Sequence, residues 1–334
     1  MTIQNAMTCD LEEYFQVQNF EGIVARDDWA TLPSRLEATT GRVLDLLAEA
    51  GVRATFFVLG WNAERHPEVV RRIADAGHEI ASHGYAHRMI FEQSPEEFRE
   101  DVRRAKALLE DLAGQGVWGY RAPTFSITER SRWALDVLGE EGYRYDSSIF
   151  PIRHDRYGIP GAPRFLHEVE RGTGTFCRNG LVGAGPCACP SPATSKGAGT
   201  GTRPYAGCLP PFPLVEFPPT TVRVLGCNVP VAGGGYLRLF PVSLVRAALR
   251  RVNRAGHPVI VYFHPWELDP EQPRLPVRGL RRFRHYVNLG RMADKLRRLL
   301  RALSFTTARA VVEQWQASRQ NPNPLSGGGG PRDG

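Results

Sequence analysis

The stretch HEIASHGYAH, residues 78–87, holds three of the nine histidines in the chain. His78 and His83 are five residues apart. That excludes the HExxH zinc-protease helix, whose two histidines stand four apart on one face. His83 and His87 do have the i, i+4 spacing. On a helical turn it would bring two imidazoles together, close enough to share one ion. Other groups able to do chemistry end β-like runs elsewhere. CDLEEYF supplies Asp10, Glu12 and Glu13, YRAP supplies Arg121, YDSS supplies Asp146, and YFHPWE supplies His264 and Glu267. Carboxylates and histidines gathered at one rim can ligate a metal and move protons.

Those residues need a scaffold that brings strand ends together. IQNAMTCD reads as a strand, followed by a helix over 33–50 closed by Gly51. RATFFVLG reads as a strand, 63–76 as a helix ended by Gly77, and HEIASH as extended chain. SPEEFREDVRRAKALLEDLAG predicts a helix with Ser94 as N-cap, Pro95 in the first turn and Gly114 as terminator. VWGYRAP, YRYDSS, PVIVYFHP and SFTT read as strands. TERSRWALDVLGEEG, SLVRAALRRVNRAG, MADKLRRLLRAL and ARAVVEQW read as helices. This alternation predicts an α/β fold, an irregular (β/α)7–8 barrel with parallel strands inside and helices outside. In such a barrel the reactive side chains project from the C-terminal strand ends. No GxGxxG or GxxxxGK[ST] run follows a strand, which argues against nucleotide binding.

The 42% hydrophobic and 23% charged fractions of this 334-residue chain fit a globular enzyme. One domain is expected over 1–315. Residues 171–211, dominated by Gly, Pro, Ser and Thr, break the periodicity and read as a low-complexity insert; 316–334 reads as a disordered tail. Four of the six cysteines (Cys177, Cys187, Cys189 and Cys208) fall in that insert. There is no CxxC pair, so reduced thiols are expected. The net charge of +7 is carried by arginine runs over 246–254 and 278–301. These read as solvated helix faces, or as a surface for acidic glycans, phosphates or anionic membrane. No nucleic-acid-binding signature is present. Without an apolar run of membrane-spanning length or a secretory signal, the expected location is the cytoplasm. Peripheral membrane contact through the basic C-terminal half is the alternative.

Taken in order, TCDLEEYFQV, SHGYAH, YRAPTFSI, YDSSIFP and VIVYFHPWELDPEQP resemble the motifs of the polysaccharide deacetylases with a NodB-type catalytic domain. Together with VPVAGGGYLRLFP and FRHYVNLGRMADKLRRLL they are most similar to the branch found with exopolysaccharide and exosortase gene clusters. The resemblance implies a metal-dependent hydrolase that removes N-acetyl groups from N-acetylhexosamine units of a polysaccharide or its precursor, in exopolysaccharide biosynthesis. It implies Asp10 as catalytic base, Glu12, His83 and His87 as metal ligands, and Arg121 as the residue that positions the base. It implies His264 as general acid and Asp146 as its support. The branch carries an aspartate where this chain has Glu13, so Glu12 and Glu13 are both candidates for the carboxylate ligand, with Glu12 preferred. Two histidines and a carboxylate suit Zn2+, with Co2+ or Ni2+ as alternatives. The implied partner is an N-acetylated glycan. Two other functions stay open: hydrolysis of another non-peptide C–N bond, in a small amide or cyclic imide, and a non-catalytic glycan-binding role in assembly.

Overall fold

The structure, a computed structural model, describes residues 3–154, 156–169 and 213–320. The insert expected over 171–211 lies outside the described residues, as do its four cysteines. The chain order is β1 (Asn5–Leu11), α1 (Leu36–Ala50), β2 (Thr55–Val58), α2 (Gly60–Arg65), α3 (Pro67–Asp75), β3 (Glu79–Ser82) and α4 (Pro95–Ala113). Then follow β4 (Gly119–Tyr120), α5 (Trp133–Glu140), β5 (Tyr145–Asp146), β6 (His167–Glu168), β7 (Val215–Glu216), β8 (Thr221–Val224) and β9 (Cys227–Pro230). The last elements are α6 (Gly234–Leu239), α7 (Val242–Arg254), β10 (Ile260–Phe263), α8 (Gly279–Tyr286), α9 (Met292–Ala302), β11 (Phe305–Thr306) and α10 (Ala308–Gln320).

The main sheet runs β10-β1-β2-β3-β4-β5-β7-β6, and β11 pairs with the start of β1. All of these pairings are parallel except β6 with β7. Among the described residues no strand pairing joins β10 to β6, so the sheet curls without closing by regular ladders. The free side of β10 is met by loop chain instead. Ile260 N donates to Thr220 Oγ1 at 2.8 Å, that hydroxyl donates to Ile260 O at 3.0 Å, and Tyr262 N donates to Ala232 O at 2.9 Å. β8 and β9 form a separate hairpin.

Strand periodicity decides what faces the barrel interior. Successive side chains of a strand point to opposite faces. In β1, Met7, Cys9 and Leu11 join the large core shared with the outer helices, while Ala6 belongs to the smaller inner cluster. Thr8 and Asp10 therefore face inward with Ala6, and Glu12 continues that row. β10 repeats the pattern, with Val261 and Phe263 outward and Ile260 inward. Phe56 and Phe57 of β2 divide the same way. Full burial of such a side chain contributes roughly 1.5–3 kcal/mol. Ala308, Val311 and Val312 of α10 pack into the inner cluster beside Ala6 and Ile260, so α10 plugs the end of the barrel opposite the site.

α4 follows its expectation closely. Ser94 and Glu97 form a capping box, and Phe98, Val102, Ala105 and Leu109 bury one face. The helix expected over 63–76 is instead two helices, α2 and α3, hinged at His66 (φ −130, ψ 57). Pro67 has no N–H to continue the first helix but suits the first turn of the second. Residues 316–320, expected as the start of a tail, are helical because α10 continues to Gln320, and 321–334 lie outside the described residues. No helix among the described residues is long and apolar enough to cross a membrane.

Candidate metal and catalytic site

At the C-terminal ends of the strands, one buried cation organises the first group. Arg121, directly after β4, is fully buried. Its guanidinium donates to Asp10 Oδ1 at 2.6 Å and Thr8 Oγ1 at 3.0 Å, both on the inward row of β1. It also donates to Ser147 Oγ at 3.0 Å and lies over the Phe57 ring at 4.1 Å. An arginine is tolerated in this interior because its fork is spent on a carboxylate and two hydroxyls.

Glu12, His83 and His87 form the second group. Their ligand atoms lie within 4.8 Å of one another and all three residues are buried. Glu12 Oε1 is 2.9 Å from His83 Nε2 and 3.2 Å from His87 Nε2. His83 Nδ1 donates to Arg121 O at 2.7 Å, so in the neutral ring the Nε2 lone pair faces the Glu12 anion. Two lone pairs in contact repel, and a cation shared among the three donors removes that conflict. The residues present therefore fit a divalent ion with three protein ligands. With both rings protonated, the alternative to sharing an ion, burial would raise the Glu12 carboxyl, but the His87 charge and hydrogen bonds from His83 and His87 hold it well below the usual carboxylate range.

The histidine pair is not on a helical turn, as its spacing suggested. His83 directly follows β3, and the chain then turns through Gly84 (φ 74) and His87 (φ 51). Asp101 of α4 fixes this turn by accepting from Tyr85 N at 2.8 Å and Ala86 N at 3.4 Å. Gly84 is needed for more than its φ, since a Cβ there would sit 2.9 Å from Asp101 Oδ2. His78 and Glu79, at the other end of β3, take no part. Ala54 N donates to His78 Nδ1, and Glu79 accepts from Thr55 and Tyr145 in the barrel interior.

Glu13 points away from the cluster. It accepts from Arg35 N and Leu36 N at 3.0 and 3.1 Å and from the Ser34 hydroxyl, serving the start of α1. Burial pushes its carboxyl up despite those bonds. Glu12→Gln is expected to lose bound metal, whereas Glu13→Gln retains it and costs about 1 kcal/mol through the weakened helix start. Metal content after dialysis, read beside thermal melts, checks this. Metal lost from Glu13→Gln and kept by Glu12→Gln would reverse the assignment.

His264 follows β10. Its backbone N donates to Glu267 Oε2 at 2.9 Å, and its Nδ1 lies 3.3 Å from the same oxygen. Nε2 is left facing Asp10 Oδ2 at 3.9 Å. Glu267 is in turn paired with buried Arg238 of α6 at 2.7 Å. Burial disfavours a charged His264, but the Glu267 hydrogen bond and the charges of Glu12, Glu267 and Asp10 outweigh it and push the pKa up to about 9.

Asp146 was expected to support His264, and the structure corrects this. Tyr145 belongs to the inner cluster and Ser147 bonds Arg121, so both face inward. Asp146 between them faces out. There it accepts from Ser148 Oγ and shares a side-chain hydrogen bond with Glu216. Burial pushes the Asp146 carboxyl up to about 6 and raises that of Glu216 well above the usual range. The carboxylate on His264 is Glu267.

These groups share one cavity of about 460 Å³, lined among others by Asp10, Glu12, His83, His87, His264 and Thr124. Arg238 and Asp101 were not singled out from the sequence, since neither lies at a strand end. The one available signal was Glu267 at i+3 from His264 after a Pro, a capping-box spacing.

Residues 27–144 match the model of a family described as polysaccharide deacetylase, and residues 198–313 match one described as a domain of unknown function, DUF3473. A peptidoglycan-N-acetylglucosamine deacetylase of Bacillus cereus is 38% identical over 145 residues, covering 40% of this chain and 52% of the relative. A chitooligosaccharide deacetylase of Rhizobium leguminosarum bv. trifolii is 32% identical over 141 residues, covering 39% and 65%. The chain thus spans about half to two thirds of these relatives' lengths. A crystal structure named for a polysaccharide deacetylase from Mycobacterium smegmatis superposes with a TM-score of 0.56 at 20% identity, over 95% of this chain and 91% of that one. Puue allantoinase superposes with a TM-score of 0.54 at 16% identity, over 95% and 91%. At these identities the structural likeness speaks for the barrel fold.

Proposed function

We propose, from the match of residues 27–144 to the polysaccharide deacetylase family, that the chain is a member of it and hydrolyses the acetamide of N-acetylhexosamine units in a polysaccharide or its precursor. Acetate and a free amine are the products. The observation that carries this reading is the convergence in one cavity of Glu12–His83–His87, Asp10 held by Arg121, and His264 held by Glu267. The motif resemblance supports exopolysaccharide biosynthesis as its setting.

Glu12, His83 and His87 would hold the divalent ion, for which two imidazoles and a carboxylate favour Zn2+. Bound there, the ion would polarise the acetyl carbonyl and acidify water. Asp10 has Oδ1 committed to Arg121, so Oδ2 is the atom that takes the proton of the attacking water. His264 enters protonated and gives its Nε2 proton to the departing nitrogen, while Glu267 holds the opposite ring edge. Thr124 lines the cavity with φ 54 and is followed by Phe125 with φ 55. Two adjacent non-glycine residues in the left-handed region cost about 1–3 kcal/mol each. This strained turn offers a backbone N–H to the oxyanion of the tetrahedral intermediate.

The test is acetate release from N-acetylglucosamine oligomers by metal-loaded protein. Release should vanish on chelation and return with about one equivalent of divalent ion per chain. Turnover of a small amide or cyclic imide without acetate release from oligomers would transfer the site to another C–N hydrolase. Oligomer binding without turnover would leave a glycan-binding protein.

A further inference from the structure

The floor and the rim of the cavity differ in charge. On the floor every acid is matched: Asp10 by Arg121, Glu267 by Arg238 and His264, and Glu12 by two histidines. At the rim, Arg156, Arg281 and Arg284 line the same cavity. Arg281 and Arg284 stand three residues apart on α8, with Arg278 just before that helix and Arg282 within it. All four side chains are exposed, and among the described residues none has a carboxylate within ion-pair distance. Among the described residues the one carboxylate that Arg156 meets is the exposed Glu21, at 3.4 Å, a contact worth little and easily exchanged. A solvated arginine face needs no cavity, whereas two arginines of α8 and one from the segment before β6 converge on a concave one.

We propose that the cavity takes an anionic glycan, in which a sugar near the reacting N-acetylhexosamine bears a carboxylate or phosphate. Arg281 and Arg284 receive that group, with Arg156 completing the rim. Planar guanidinium forks suit carboxylate and phosphate oxygens and bind them in bidentate fashion. The inference rests on the deacetylase reading for the place of the reacting sugar, not for the presence of the rim. Exposed Leu280 and Phe283 on the same helix make a membrane the competing occupant. The arginines that line the cavity favour the glycan.

The experiment measures binding by calorimetry at about 50 mM and about 500 mM salt, which spans weak to strong screening. The probes are a neutral N-acetylglucosamine hexamer, a hexasaccharide alternating N-acetylglucosamine with glucuronate, and UDP-N-acetylglucosamine. At least one anionic probe should bind about tenfold more tightly than the neutral hexamer at low salt, and which one identifies the charged group. The ratio should fall towards one in Arg281→Gln/Arg284→Gln and at high salt, and survive in Arg246→Gln/Arg254→Gln, two exposed arginines of α7 away from the cavity. Equal binding of neutral and anionic probes would overturn the inference, as would a ratio that both double variants lower alike. Capture by phosphatidylglycerol vesicles, lost in Arg281→Gln/Arg284→Gln with no preference among the sugars, would overturn it in favour of membrane docking. Preference without acetate release would defeat the deacetylase reading and leave anionic-glycan binding standing.

Discussion

Arg121→Met is expected to lower unfolding free energy by about 3–5 kcal/mol and acetate release by about 10²–10⁴-fold. The stability loss comes from what is left behind. Asp10 is 3% exposed, Thr8 and Ser147 are fully buried, and all three lose a charged donor together. The activity loss comes from Asp10, whose Oδ2 is presented to the cavity only while Oδ1 is held. The two effects separate in a double variant. Asp10→Asn/Arg121→Met removes both charges, so it should regain much of the stability and none of the turnover, because truncating one partner of a buried pair costs more than replacing both. Urea unfolding and acetate release, measured on the same preparations, give both numbers. Equal destabilisation in the single and double variants would mean that Arg121 acts through packing on Phe57 and not through Asp10.

The inward row of β1 shows why part of this site was legible. A strand that alternates Met7, Cys9, Leu11 with Thr8, Asp10, Glu12 announces its two faces, and its reactive residues fall on one of them. The same alternation, applied to YDSS, would have turned Asp146 away once Ser147 was placed inward. But β5 is two residues long, too short for its own pattern to say which face is which. That knowledge came from Arg121, at the end of the neighbouring strand β4. The His83–His87 spacing pointed to two rings that do meet beside Glu12, but by a turn and not a helix, since four residues also bridge the mouth of a turn when Gly84 and a left-handed His87 bend it. Asp101 and Arg238 were invisible because they act from helices distant in sequence on a strand-end turn and on Glu267. Pro67 was visible and could have divided the 63–76 helix, but the apolar periodicity continues across it. Two adjacent glutamates were candidates for the carboxylate ligand, and the structure puts Glu12 beside the histidines and Glu13 at the start of α1.

Glu267→Gln is expected to move the alkaline limb of the pH–rate profile down from about 9 towards the ordinary histidine value of 6.5. His264 must be protonated to serve as the acid, so activity falls as pH rises through its pKa. In the native protein that fall is expected near pH 9; in the variant, at pH 8, a histidine titrating near 6.5 would be protonated only about 3% of the time, a loss of roughly thirtyfold. His264→Ala removes the acid outright and should cost about 10²–10⁴ in rate with no alkaline limb left. The same pKa bears on stability. A folded value raised above the unfolded one contributes stability that is full below about pH 6.5 and is lost as pH rises to about 9. Native protein should therefore lose melting temperature across that window and Glu267→Gln should lose less, from a lower starting point set by Arg238 left with a neutral partner. Profiles of kcat/KM and melts between pH 6 and 10 measure both. If the limb stayed in place in Glu267→Gln, the charges of Asp10 and Glu12 alone would be holding the proton, and Glu267 would be reduced to capping the turn after β10.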